Sequence, residues 1–152
     1  MLFLLFQLGA DRYALDARQV LEVLPLVNLK RIPQAPPGVA GLFDYRGSPV
    51  PAIDLNEIMA QQPAAQRFST RIVLARFRAA DGREHPLGLI AEQVKATVKR
   101  DAADFVDGGV SARGAPYLGP VTSDAGGLLQ WIQVDKLLPP ALQEQLFRER
   151  AA

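Results

Sequence analysis

The chain has 152 residues with one histidine and no cysteine. That removes disulfides, thiolate metal sites, iron–sulfur clusters and cysteine nucleophiles, and leaves a Ser-His-Asp triad or a multi-histidine metal site almost no material. His85 follows the turn at Gly82 and precedes Pro86, which reads as a surface position rather than a proton shuttle. Asp101, Asp104 and Asp107 lead into Gly108-Gly109, but the closing glutamate of a calcium loop is missing. The sequence contains no phosphate-cradling glycine loop. Arg67, Arg71, Arg76, Arg78 and Arg83 form a locally basic stretch, which strand alternation places partly in solvent. Two charges stand out in apolar company. Arg46 lies between Tyr45 and Gly47, and Glu22 interrupts Val20-Leu21 and Val23-Leu24. An Arg–carboxylate pair is directional, so the chemistry open to these two is recognition. A structural turn arginine and an edge-strand glutamate fit the same residues.

The elements that must position these residues are short strands. Twelve Gly and twelve Pro call for many turns. Leu2–Leu8 is apolar on both faces, as in a buried strand, and Tyr13-Ala14-Leu15 resumes after a turn at 9–12. A short turn or helical step over 16–20 leads into an extended run over 21–24 that ends at Pro25. The proline-rich segment 32–38 is a rigid loop. Residues 41–46 form a strand that turns at Arg46-Gly47-Ser48-Pro49 into a second strand over 50–54. Asp54 and Glu57 have capping-box spacing for a short helix through Met59. After an irregular linker over 61–69 come strands at 72–77 and 87–91 around a turn at 80–83. Residues 94–98 are extended and 101–109 form a loop. A last strong strand lies within 126–134, and an amphipathic helix over 141–150 follows Pro139-Pro140.

Composition narrows the class. Hydrophobic residues make up 49% and the net charge is +1, enough apolar material for a core and no basic stripe for nucleic acid. With one Trp and three Tyr, stacking platforms for single strands are scarce. The opening run Met1–Phe6 is far shorter than the ~20 residues of a membrane helix, and no cation precedes it. The chain reads as soluble and cytoplasmic.

The sequence also echoes itself. Residues 14–20 (ALDARQV) align with 88–94 (GLIAEQV) at a constant offset of 74, with four of seven positions identical. Residues 50–59 align with 129–138 at an offset of 79, each reading as strand, polar turn and short apolar helix. Two units of about 70 residues, each too small to bury much core alone, should pack together and leave a crevice at their junction.

The stretch Gly41-Leu42-Phe43-Asp44-Tyr45-Arg46-Gly47-Ser48-Pro49-Val50-Pro51-Ala52-Ile53-Asp54-Leu55 resembles the signature of the CheW-like family, the coupling proteins of bacterial chemosensory arrays. Val20-Leu21-Glu22-Val23, Ile32-Pro33, Leu87-Gly88-Leu89-Ile90, Tyr117-Leu118-Gly119 and Asp135-Lys136-Leu137-Leu138 fit the same pattern in order. The resemblance implies an all-β fold with short helices: two pseudo-symmetric, SH3-like five-stranded barrels packed together. Combined with the reading above, it gives one domain over 1–152, with intertwined subdomains at roughly 15–66 and 67–138. The N-terminal strand is shared between them, and a C-terminal helix occupies 139–152.

The resemblance further implies an adaptor without catalysis, cofactor or metal. It would join a chemoreceptor's cytoplasmic domain to the regulatory domain of a CheA-type histidine kinase, with ring contacts to other CheW-like domains and recruitment to membrane arrays only through partners. Arg46, Gly47, Gly41 and Val20 would shape the receptor-binding groove, and Glu22 beside Arg46 would contribute to kinase contact. Asp44 and Tyr45 replace the family's usual Asn-Leu on the same surface. The added charge at Asp44 would pair with Arg46 or alter which receptor fits, as in a pathway other than flagellar chemotaxis. The rival class is a ligand-binding or hydrolytic β-barrel protein using the inter-barrel crevice, which should show clustered acid–base groups.

Overall fold

The computed structural model describes residues 1–109 and 113–147. Among the described residues ten strands carry the fold. β1 (Leu2–Leu8) and β2 (Asp11–Asp16) form a hairpin, and a 3-10 turn over Ala17–Gln19, capped by the Asp16 carboxylate, leads into β3 (Val20–Pro25). β4 (Val39–Tyr45) and β5 (Ser48–Asp54) form the next hairpin, followed by α1 (Leu55–Ala60). The pattern then repeats with β6 (Arg71–Arg78), β7 (Glu84–Ala91), β8 (Thr97–Lys99), β9 (Leu118–Asp124) and β10 (Gly127–Ile132). A 3-10 turn over Val134–Lys136 and α2 (Pro140–Leu146) complete it. The helix expected over 141–150 thus runs from Pro140, and 148–150 lie outside the described residues.

The strands form two five-stranded sheets with orders β8-β1-β2-β10-β9 and β3-β6-β7-β5-β4. Each sheet is two antiparallel hairpins joined by one parallel contact, with one further strand added at one side, β8 or β3. The parallel contacts are made by the echoed segments. Ala14 pairs with Trp131 in the first sheet and Gly88 with Ala52 in the second, and these pairs correspond under the offsets of 74 and 79. The likeness between the two halves therefore extends to strand register.

The partition at 15–66 and 67–138 differs from the way the sheets divide the chain. β6 and β7 belong to the sheet of β3, β4 and β5, while β1 and β2 belong with β8, β9 and β10. β3, which follows the β1–β2 hairpin in the chain, pairs with β6, and β8, which follows β6–β7, pairs with β1. The strand exchange is reciprocal, so each sheet is assembled from both sequence repeats.

Alternation explains why β1 and β6 are apolar on both faces. Ile72 and Leu74 point into the second sheet's own core with Phe43, Val50, Ala52 and Ile90. Val73, Ala75 and Phe77 on the opposite face meet Leu4, Phe6, Leu15 and Ile132 from the first sheet. Phe3 turns the other way, to Phe105 and Trp131. The expected crevice at the junction is instead the largest buried apolar cluster. At its rim lies an apolar groove of about 1000 Å³ between the loop at Pro36-Pro37, Ile58 of α1, Tyr117 and Leu142 of α2. Among the described residues no helix is long and apolar enough to cross a membrane.

Candidate functional site

The outer strands β3 and β4 lie at opposite sides of the second sheet's order, yet two contacts bring them together. Lys30, just after β3, exchanges both backbone hydrogen bonds with Leu42, each 2.8 Å. Gly41 makes that approach possible, since a Cβ there would overlap the Lys30 carbonyl, and its φ of +146° lies where side chains are rarely tolerated. The sheet thereby curls on itself, and Glu22 of β3 arrives beside the β4–β5 hairpin.

That hairpin has a two-residue turn, Arg46-Gly47, between the paired residues Tyr45 and Ser48. Both turn residues have positive φ, +51° and +86°, as a type I′ turn requires. Glycine accepts this freely, but arginine does so at a cost. The Asp44 carboxylate accepts the Gly47 N–H at 2.8 Å and fixes the turn; no pairing with Arg46 is found for it among the described residues. The Tyr45 hydroxyl donates to Glu22 Oε2 at 2.6 Å, and this bond is the main reason the phenol titrates above its ordinary value. The Arg46 guanidinium sits 5.1 Å from the Tyr45 ring centroid and 3.8 Å from Glu22 Oε2, a cation–π and ion-pair arrangement. The Arg46 side chain remains 78% exposed and Glu22 39%.

Five of the seven residues singled out from the sequence (Glu22, Asp44, Tyr45, Arg46 and Gly47) therefore share one corner. Gly41 and Val20 do not join it. Gly41 serves the closure of the sheet, and Val20 packs partly buried against the junction core, opposite Ala75. Asp54 caps α1 through Oδ1, which accepts from Asn56 and Glu57 at 2.9 and 3.2 Å, while Oδ2 takes the Ala64 N–H. The reciprocal half of a capping box is replaced, because the Asp54 N–H donates to the Gly38 carbonyl. Burial outweighs these three donors and raises the Asp54 carboxyl above its usual value.

The first sheet closes by the same device at equivalent positions. Val106, after β8, exchanges backbone bonds with Val121, again 2.8 Å each. Asp124, which falls on Tyr45 under the offset of 79, holds the corner. It accepts from Arg12 at 2.7 and 3.0 Å, from Arg100 at 2.8 Å and from the Gly126 N–H at 2.7 Å. Arg12 first, then Arg100 and the Gly126 N–H, hold this carboxyl well below the usual carboxylate range. Sequence reading missed this clasp; the second echo, extended by a few residues, would have placed Asp124 opposite Tyr45. One corner is thus saturated with tight, partly buried ion pairs, and its counterpart is open and holds an exposed guanidinium.

Elsewhere the chemistry is local. His85 is more buried than its turn position implied, because its ring stacks on Phe147 with centroids 4.4 Å apart. Its Nε2 has no hydrogen-bond partner among the described residues, and Asp81 Oδ2 lies 3.8 Å away. Asp101 and Asp107 accept backbone N–H groups of Ala103 and Gly109. Among the described residues no group of three or more His, Asp or Glu is arranged to hold a metal ion.

The CheW-like domain model matches residues 2–141. Three curated relatives all bear the name chemotaxis protein CheW. That of Klebsiella aerogenes is 32% identical over 99 residues, covering 61% of this chain and 60% of the relative. That of Helicobacter pylori is 30% identical over 74 residues, 49% of this chain and 45% of the relative. That of Treponema pallidum is 25% identical over 134 residues, 87% of this chain and 78% of the relative. The aligned stretches thus span less than two thirds of the first two relatives. In fold, the chain is similar to the crystal structure of scaffolding protein TtCheW from Thermoanaerobacter tengcongensis, with a TM-score of 0.78 at 22% identity over 91% of this chain and 87% of that one.

Proposed function

The chain belongs to the CheW-like domain family, and from that premise we propose that it is a non-catalytic adaptor acting in the cytoplasm as one unit. It couples the cytoplasmic domain of a chemoreceptor to the regulatory domain of a CheA-type histidine kinase, and reaches membrane-associated arrays only through those partners. Such a protein needs no reacting groups. Holding two partners in fixed geometry lets a receptor signal shift the kinase between states through differential contacts.

The observation that carries this reading is the open corner. Arg46 is held in a left-handed backbone conformation and left mostly in solvent, while the equivalent corner of the first sheet is closed by the Asp124 clasp. Backbone strain kept at an exposed, directional cation is a mark of a recognition surface. Tyr45 fixes the Glu22 carboxylate, so the two charges present a defined pattern to a partner. Gly41 and Val20 support this surface by shaping β4 and β3. Because Asp44 spends its oxygen on Gly47, it selects among receptors through added negative potential at the hairpin and not by masking Arg46. A receptor from outside the flagellar pathway fits that departure.

The test is assembly of a receptor cytoplasmic fragment, the kinase regulatory domain and this protein, with Arg46→Glu as the variant. The substitution is expected to weaken capture of receptor or kinase about tenfold or more. Unfolding should change by no more than about 0.5 kcal/mol, since the side chain is exposed. Unchanged capture by a folded variant overturns the assignment, and a collapsed fold returns Arg46 to a structural role. Equal affinity for receptors of several pathways would remove the proposed selectivity.

A further inference from the structure

The linker between α1 and β6 is irregular but firmly tethered. Asn56 Nδ2 donates to the carbonyls of Gln62 and Pro63 at 2.6 and 3.2 Å, and Asp54 Oδ2 accepts the Ala64 N–H at 2.9 Å. Glu92 Oε1 accepts the Ala65 N–H at 2.6 Å, and the buried Thr70 hydroxyl donates to the Ala65 carbonyl at 2.6 Å. The Ser69 carbonyl takes the Val94 N–H at 2.9 Å. The Thr70 N–H donates to the Arg67 carbonyl at 3.0 Å, so four side chains and two backbone bonds fix the path of an exposed loop. The one large apolar residue it carries, Phe68, is fully exposed. A scattered surface phenylalanine on a mobile loop would need no account. A pinned loop that presents a phenyl ring wholly to water has given up the flexibility that would let it bury the ring.

The surroundings supply the chemistry of an occupant. Arg67 adjoins Phe68, Arg71 opens β6, and Lys95 follows the Val94 that is bonded to Ser69; all three are exposed. None of them forms an ion pair among the described residues. The neighbouring carboxylate, Glu92, has an oxygen committed to Ala65. Beside the ring lies a cleft of about 410 Å³ walled by Pro25, Leu26 and Thr70, with exposed Val27 beyond it.

We propose that the Phe68 loop is a docking surface for an acidic segment of a partner protein, which seats one apolar side chain in the cleft and sets its carboxylates against Arg67, Arg71 and Lys95. The cleft favours a protein over a bilayer, because a lipid surface offers no side chain to fill it, and one ring with three cations gives only marginal membrane anchoring. The surface is separate from the Glu22–Arg46 corner: Arg71 pairs with Pro25, three positions along β3 from Glu22, or about 10 Å. A tethered aromatic loses little entropy on docking, and such anchors carry much of an interface's energy.

Selection from a random peptide display library on the full chain, with depletion on Phe68→Ser, tests this. Enriched peptides are expected to carry several Asp or Glu around an apolar residue and to shift the amide signals of 66–71 and 95 in NMR titrations. They should lose affinity about tenfold on Phe68→Ser and on the double change Arg67→Glu, Arg71→Glu, and weaken steeply with salt. Both variants should keep the wild-type melting temperature. The Arg46→Glu protein should bind these peptides normally, so failure of the adaptor reading and failure of this one are distinguishable. Absence of enrichment, basic or uncharged winners, or affinity indifferent to Phe68→Ser overturns the proposal. So does binding confined to vesicles of phosphatidylcholine and phosphatidylglycerol.

Discussion

Tyr45 and Asp124 occupy equivalent positions and show what one residue type decides. A phenol at the corner makes a single neutral donor bond to Glu22 and leaves Arg46 available; a carboxylate there draws in Arg12 and Arg100 and seals the corner. The clasp has a pH signature. Asp124 in the folded protein titrates below the ordinary value because two guanidinium groups bind its ionised form, whereas in the unfolded chain it titrates near about 4. As pH falls below that, the unfolded chain takes up the proton first. The stability from the clasp is therefore complete above about pH 4 and is lost as pH drops through the folded-state value. Asp124→Asn should cost about 2 kcal/mol at neutral pH, with the deficit narrowing under acid. Urea midpoints of both proteins from neutral to strongly acid pH check this; a deficit independent of pH would mean that packing, not charge, closes the corner. Asp54 has the opposite sign, since burial raises its carboxyl and its ionisation opposes folding as pH rises. The Glu22–Arg46 proximity was legible through the family pattern, but Tyr45 as the bridge was not. It depends on the two outer strands of a curled sheet meeting, which no local spacing encodes.

At the scale of elements, most strands were legible because their apolar residues alternate or run unbroken between turn residues. β9 was not. Residues 118–124 carry Gly119, Pro120 and the polar run Thr122-Ser123-Asp124 and show no strand pattern, yet the strand forms because it is last in the sheet order and pairs along its length only with β10, its other side meeting the single bridge to Val106, so that proline is tolerated there. Pro49, Pro51 and Pro86 likewise lie outside the parallel ladder of Ala52–Asp54 with Gly88–Ile90. That ladder holds the most constrained residue of β7. A Cβ on Gly88 would come within 2.6 Å of the Phe43 ring and 3.1 Å of Ile72 Cγ2, although its equivalent in the first sheet, Ala14, is fully buried with its methyl in place. Gly88→Ala is expected to destabilise by about 1–3 kcal/mol through overpacking, and Gly88→Ala with Phe43→Leu to recover part of the loss. Equal losses in the single and double variants, measured by denaturant unfolding, would place the strain in the backbone instead of the ring.

For the whole molecule, the echo revealed that there are two units but not how they are wired. A repeat in sequence implies a repeat in space only if each copy pairs with itself, and here the β1–β2 and β6–β7 hairpins each join the sheet built by the later strands of the other repeat. Local patterning cannot encode that exchange, because alternation of apolar residues sets which face of a strand is buried and not which strand lies beside it. Its consequence is cooperative. Cutting the chain in the 61–69 linker separates β3, β4 and β5 from β6 and β7, and β1 and β2 from β8, β9 and β10. It also divides the largest apolar cluster, which takes Phe6 and Leu15 from one side and Phe77 and Leu89 from the other. Neither piece, 1–66 or 67–152, should show a cooperative thermal transition or dispersed NMR signals alone, and mixing them should restore both, since each sheet and the largest apolar cluster are completed only by strands of both pieces. A piece that folds by itself would mean its strands can pair within one repeat. The two sheets, each carrying one of the corners at Arg46 and Asp124, would then be held together by packing alone and not by strands that both repeats contribute to each sheet.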